Sequence, residues 1–196
     1  MTKISHKFDK SIIRSYDIRG IFNKTLFEKD AKVIGQLFGK QVGNKNTINV
    51  GYDGRHSSQP LKESLISGIL ESGANVCEVG LVPTPLLYFS CVCNNARGGI
   101  MVTGSHNPKE YNGFKFILDN LPYYGEDLIK LEIKAKNFFL ENTTGERTRH
   151  DFLEKYIKNI FNSFHQNKKI NIVWDSGNGA AGEVMSQLSK KVVLAE

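Results

Sequence analysis

What most constrains this chain is a repeated switch of apolar period, from short β-rich runs to stretches with helical spacing. Thr47–Tyr52 (TINVGY) reads as a buried strand, and Gln59–Ser72 follows with apolar residues at Leu61, Leu65, Ile69 and Leu70, the spacing of a helix. Asn75–Val79 reads as a second strand. Thr84–Asn94 reads as a helix whose start is marked by Pro83 and Pro85, and Gly99–Thr103 (GIMVT) as a third strand. Upstream, Lys29–Val42 carries Val33, Ile34, Leu37 and Phe38 at helical spacing. Strands separated by helices of this length predict right-handed βαβ units. The fold class is therefore α/β, three layers, with a mixed, mostly parallel sheet and helices on both faces.

After Ser105 the pattern changes. Tyr111–Leu118 (YNGFKFIL) reads as an extended segment antiparallel to its neighbours, and Glu126–Leu140 as a further helix. The polar stretch Glu141–Arg149 (ENTTGERTR) has the composition of a linker. Beyond it come an amphipathic helix, Asp151–Phe164, and a strand, Lys169–Trp174, in which Ile170, Ile172 and Trp174 alternate against Val173. Gly177–Gly182 (GNGAAG) then turns into a helix near Glu183, and Val192–Leu194 reads as the start of a partner strand. This reading gives a first domain over residues 1–142 and the start of a second, similar domain over 150–196, left incomplete because a lone βα unit cannot cover both faces of its strand. Unpaired strand edges invite a self-associated dimer or cover by another polypeptide.

Composition narrows the function classes. At 196 residues, 40% hydrophobic and 23% charged, the chain can bury a core without metals or disulfides. Its three cysteines are an odd number, and Cys91-Val92-Cys93 has the wrong spacing for a CxxC redox or zinc pair; both are expected as small core residues in a reducing compartment. Met1–Lys10 carries Lys3, Lys7, Asp9 and Lys10 rather than the apolar run of a signal peptide, and no stretch approaches the roughly 18 apolar residues of a membrane span. A cytoplasmic location is expected. The net charge of +6 is scattered, with local sets only at Lys168-Lys169 and Arg147–His150, and no basic stripe interleaved with aromatics. Nucleic acid is not an expected partner.

The segment that carries chemistry is Thr103-Gly104-Ser105-His106-Asn107-Pro108. It follows an apolar strand directly, so Ser105 is expected in a loop at the strand's carboxyl end, where open α/β sheets place their ligands. Gly104 is read as permitting a tight turn, and Pro108 as stopping the strand. A hydroxyl raised there is a plausible nucleophile. A hydrolase triad is not expected: there is no GxSxG elbow, and adjacent Ser105 and His106 side chains on an extended loop would point apart.

This loop resembles the active-site serine loop of the α-D-phosphohexomutases, which include phosphomannomutase and phosphoglucomutase. Ser15-Tyr16-Asp17-Ile18-Arg19-Gly20 resembles the family's YDIRG signature, and Val50-Gly51-Tyr52-Asp53-Gly54-Arg55 its VGxDxR motif. Tyr111-Asn112-Gly113-Phe114-Lys115 resembles its YNGFK run, and Asp175–Gly182 its second-domain opening. The five segments stand in the family's order.

The resemblance implies a phosphorylated Ser105 that gives its phosphoryl group to a hexose monophosphate (mannose or glucose). The 1,6-bisphosphate formed reorients and returns the other phosphate. It further implies Lys115 in acid–base chemistry, Tyr16 and Arg19 facing the substrate, and His106 and Asn107 contacting the phosphate or shaping the loop. Cations such as Arg19 and Lys115 suit phosphoryl transfer, which depends mainly on positioning and electrostatics. Asp53 and Arg55 read as a structural pair beneath the loops, and the glycine-rich turn at Gly177–Gly182 as a tight turn rather than a dinucleotide cradle.

The implied cofactor is Mg²⁺, held by an oxygen of phosphorylated Ser105 and three aspartates of a DGDxDR loop, with hexose 1,6-bisphosphate as activator. This sequence contains neither that loop nor the sugar-reading GExSGH pattern. The chain is thus expected to be an N-terminal fragment of a four-domain enzyme, inactive unless a complementary polypeptide supplies the rest. The alternative is a non-catalytic remnant or phosphosugar-binding module.

Overall fold

The computed structural model describes residues 1–163 and 171–193. In chain order the elements are β1 (Thr2–Ile4), β2 (Ile18–Ile21), α1 (Glu28–Val42), β3 (Thr47–Tyr52), α2 (Ser58–Glu71), β4 (Asn75–Leu81), α3 (Thr84–Cys93) and β5 (Gly98–Val102). They continue with β6 (Tyr111–Leu118), β7 (Leu121–Tyr123), α4 (Glu126–Ala135), β8 (Phe138–Leu140), β9 (Arg147–Arg149), α5 (Leu153–Asn162) and α6 (Gly182–Val193). The main sheet has the order β2-β6-β5-β3-β4-β9, with β7 also on β6. Since β6 is antiparallel to β2, β5 and β7, it alone of these seven strands runs against the rest. The sheet is mixed and mostly parallel, as expected.

Period-two burial divides the two faces. Ile48, Val50, Ile100, Val102, Phe114 and Phe116 join one core with α1, α2 and α4. Cys77, Val79 and Met101 face the other side, packing with Leu86 and Leu87 of α3, Ile157 of α5 and Val184 of α6. Helices therefore cover both faces, and each buried large side chain contributes about 1.5–3 kcal/mol. Where α1 crosses α2 the backbones approach closely: a Cβ on Gly68 would lie 2.0 Å from the Lys32 carbonyl oxygen, and one on Gly35 2.2 Å from that of Leu65.

Five expectations are corrected. The helix expected over Glu126–Leu140 ends at Ala135, because Phe138–Leu140 pairs antiparallel with β1, with Phe138 and Leu140 buried and Phe139 exposed. The expected linker Glu141–Arg149 ends in β9, parallel to β4 from Val76↔Arg147 to Glu78↔Arg149. Its exposed, wholly polar RTR sequence gives no strand period; ion pairs hold it instead, with Arg147 donating to Glu78 at 2.6 Å and Glu63 at 2.8 Å. The hydrogen bonds from Arg147 pull the Glu63 carboxyl down to about 2. The expected strand at Lys169–Trp174 is absent over its described part: Asn171–Trp174 pairs with nothing among the described residues, and Ile172, Val173 and Trp174 are exposed. Lys169 and Ile170 lie outside the described residues, as does Leu194. Val192 and Val193, expected in a strand, belong to α6. Finally, Cys93 is exposed where a core residue was expected; Cys77 and Cys91 are buried and all three are free.

Among the described residues no helix is long and apolar enough to cross a membrane.

Candidate functional site

Ser105 stands three residues past β5, the strand with β3 on one side and β6 on the other. Its φ is +53°, in the left-handed region that a side chain bearing a Cβ rarely adopts. Such a conformation costs about 1–3 kcal/mol and persists only where its surroundings dictate it. Gly104 does not have the positive φ, so the sharp turn is made by the serine itself. The glycine is needed for close approach: a Cβ there would lie 2.3 Å from Arg55 Cζ.

Two side chains from the β3–α2 connection set the surroundings. The Asp53 carboxylate accepts from Thr103 Oγ1 at 2.8 Å, the Gly104 amide at 3.0 Å and Ser58 Oγ at 2.5 Å. Arg55 reaches the descending side of the loop through its carbonyls at Ser105, Asn107, Pro108 and Tyr111. Asn107 Nδ2 donates to the Gly104 carbonyl at 3.0 Å and the Ser105 amide to Thr103 Oγ1 at 2.8 Å, closing the turn from within. Buried Asn112 donates to Ser57 Oγ and Ser58 Oγ, which ties the start of β6 to the start of α2. Asp53 and Arg55 are thus the structural pair that the sequence suggested.

The expectation that Ser105 and His106 point apart is overturned. The left-handed turn brings Ser105 Oγ and His106 Nδ1 to 3.3 Å, on an exposed part of the loop. Among the described residues no carboxylate hydrogen-bonds to His106, so the triad remains incomplete.

Arg19 and Lys115 meet at a residue that the sequence reading passed over. Asp17, only 6% exposed, hydrogen-bonds to Arg19 and lies 4.0 Å from Lys115 Nζ. The antiparallel β2–β6 register, with Arg19 opposite Gly113 and Ile18 opposite Phe114, brings these neighbours together. Only the pairing reveals it; within YDIRG, Asp17 carries no signal of its own. The ion-pair partner of Lys115 is this carboxylate, which it shares with Arg19. Tyr16 stands apart, 76% exposed and stacked on Tyr124 with ring centroids 5.8 Å apart.

An open pocket of about 1020 Å³ lies against the loop, lined by Ser105, Asn107, Arg55 and His56, and by Gly177–Ala181 across from them. Met101 also lines it, and Lys115 is its register partner on β6. Arg19, His106 and Tyr16 do not line it. His56 and Lys109 do, and neither was singled out from sequence, since neither belongs to a spaced pattern. Gly177 and Asn178, both with positive φ, form a tight turn ahead of α6. Among the described residues no cluster of three or more His, Cys, Asp and Glu side chains could hold a metal ion. Mg²⁺ binds through oxygens of carboxylates and phosphates, and the donors here do not make up such a cage.

Comparison with known proteins gives this geometry a family. Residues 10–138 match the model of phosphoglucomutase/phosphomannomutase, alpha/beta/alpha domain I. The chain is 41% identical over 180 residues to a phosphomannomutase/phosphoglucomutase of Pseudomonas putida, covering 91% of this chain and 39% of that protein. It is 38% identical over 185 residues to a phosphoglucomutase of Neisseria meningitidis serogroup B, covering 92% and 40%. A crystal structure of a phosphoglucomutase/phosphomannomutase family protein from Burkholderia thailandensis superposes with a TM-score of 0.82 at 34% identity, over 93% of this chain and 42% of that one. The chain thus spans about two fifths of the length of the relatives it matches. With the serine loop, its Asp53–Arg55 support and every strand of the main sheet but β9 inside the matched region, the chain belongs to the phosphoglucomutase/phosphomannomutase family.

Proposed function

We propose that this chain is the phosphoryl-accepting part of a phosphohexomutase, with Ser105 as the group that takes and returns phosphate. The observation that carries the reading is the left-handed Ser105, raised at the carboxyl end of a central strand on a loop held from both sides. A fixed hydroxyl facing an open pocket suits a reaction in which positioning supplies much of the rate.

In the proposed step Ser105 Oγ forms a bond to a phosphorus of hexose 1,6-bisphosphate while that phosphorus loses its bond to the sugar oxygen. The serine proton leaves through His106 Nδ1, 3.3 Å away, and the departing sugar oxygen takes up a proton from Lys115. The reverse step returns the phosphoryl group to the other sugar position. Arg19, oriented by Asp17, contributes positive charge near the transferring group, and Tyr16 a contact surface for the sugar. Asn107 keeps the loop closed and is available to the phosphate from the pocket side. The substrate class is hexose phosphate, of mannose or glucose. Residues 150–196 are read as the beginning of a second domain, whose turn at Gly177–Ala181 faces the serine loop. Mg²⁺ chemistry would require carboxylates from further polypeptide, and so would turnover.

The test is incubation with glucose 1,6-bisphosphate followed by intact mass and phosphopeptide mapping. One phosphate on Ser105 in the wild type, and none in Ser105→Ala, is the expected result. Equal incorporation in Ser105→Ala would remove Ser105 from its role. A wild type that binds the bisphosphate in calorimetry without incorporating phosphate would instead be a phosphosugar-binding module.

A further inference from the structure

Arginine carries five N–H donors in a rigid planar fork, and at Arg55 all five are engaged. Nη1 donates to the carbonyls of Pro108 at 2.6 Å and Tyr111 at 3.1 Å; Nη2 donates to those of Ser105 at 3.0 Å and Asn107 at 2.6 Å. Nε donates to Asp53 Oδ2 at 3.3 Å, and the same oxygen accepts from the Gly104 amide. One guanidinium therefore spans the loop from the nucleophile's own carbonyl to the first residue of β6. It is largely enclosed, the side chain being 17% exposed. Four carbonyl dipoles converging on one cation is an arrangement that water cannot replace without letting the loop open.

We propose that Arg55 is a positioning residue for Ser105: its guanidinium, braced by Asp53, fixes the left-handed backbone that aims the serine hydroxyl. Within the turn, the Asn107 amide and Nδ2 both donate to the Gly104 carbonyl at 3.0 Å and the Ser105 amide donates to Thr103 Oγ1, and these contacts flank Ser105 without gripping its carbonyl. Arg55 grips the carbonyl directly. Lysine cannot substitute, since its three donors on a single nitrogen match neither the number nor the spread of the acceptors.

The consequence for chemistry rests on the phosphoserine reading, whereas the consequence for backbone geometry does not, so the test has two arms. In the first, ¹³C shifts of Ser105 report its φ, and amide exchange of Ser105 and Asn107 reports loop opening. The proteins are wild type, Arg55→Lys, Arg55→Ala, and Arg55→Ala with guanidinium added at a non-denaturing level. The left-handed signature is expected in the wild type, lost in both variants, and restored in Arg55→Ala by guanidinium but not by methylammonium. In the second arm, phosphate incorporation from glucose 1,6-bisphosphate should fall about a hundredfold in both variants, the usual effect of misplacing a reacting group by about 1 Å, and return with guanidinium. Amides of Ile48 and Val50 in β3 confirm that each variant is folded; should Arg55→Ala fail that check, Arg55→Lys carries the decision. A folded variant that keeps the left-handed shifts of Ser105 overturns the proposal whatever happens to labelling. A wild type with those shifts that takes no phosphate removes the phosphoserine reading and leaves the clamp to be decided by the first arm.

Discussion

Replacing Gly104 by alanine tests whether the serine loop is held by contact or only by its own turn. The added Cβ would lie 2.3 Å from both Cζ and Nε of Arg55 and 2.6 Å from the Tyr111 carbonyl oxygen. Ordinary contact begins near 3.4 Å, so the shortfall exceeds 1 Å. A flexible side chain would swing away, but this one is tied to four carbonyls and a carboxylate. Overpacking of this kind costs about 1–3 kcal/mol. Loss of glycine's freedom in the unfolded chain returns about 0.4–1 kcal/mol. At the midpoints of these ranges a net loss of about 1.3 kcal/mol follows, or roughly 3–5 °C in Tm for a chain of this size.

Because the clash is with Arg55, the two positions must be coupled. Urea unfolding of wild type, Gly104→Ala, Arg55→Ala and the double variant should show the double variant more stable than the sum of the singles by at least about 1 kcal/mol, within the range of contacting pairs. Strict additivity, or a Gly104→Ala protein within about 0.5 kcal/mol of wild type, would refute the reasoning. The loop would then be shaped by its local sequence alone.

Gly68→Ala should lower Tm even though alanine is favoured over helix-interior glycine by about 1 kcal/mol, because its Cβ would meet the Lys32 carbonyl of α1 at 2.0 Å; calorimetry reads the sign. The Glu63 carboxyl, held at about 2 in the folded protein against an ordinary 4.5, contributes stability that is complete above 4.5 and disappears as the pH falls towards 2. The urea midpoint should therefore decline over that acid window, and decline less in Arg147→Met, which lacks the hydrogen-bonding partner. Of the three thiols only Cys93 should react with a thiol reagent in the native protein, since Cys91 is buried with its thiol pushed up to about 12 and Cys77 is buried as well; mass spectrometry after brief labelling counts the adducts.

Sequence alone determined the central architecture. Apolar runs such as Thr47–Tyr52 are buried on both faces and bounded by helices with their own period, so their type and their limits follow from local pattern. It also determined where the candidate site sits, because a short polar loop after a buried strand has to emerge at the strand's carboxyl end. The TGSHNP spelling then singled out Ser105. Elements whose stability comes from a distant partner were not legible in this way. β8 pairs with the chain's first residues and β9 with β4, so Phe138–Leu140 and Arg147–Arg149 carry only weak local signals.

The same reason governs the site. Tertiary structure alone decided that Ser105, rather than Gly104, takes the positive φ, since that depends on carbonyls gripped from fifty residues upstream. It alone decided that Asp17 joins Arg19 to Lys115, a meeting created by the register of β2 on β6. Periodicity and motif record what a residue is and which way its segment runs. Which hydrogen-bond acceptor ends up opposite which donor is fixed only when strands pair and a loop closes over the side chain beneath it.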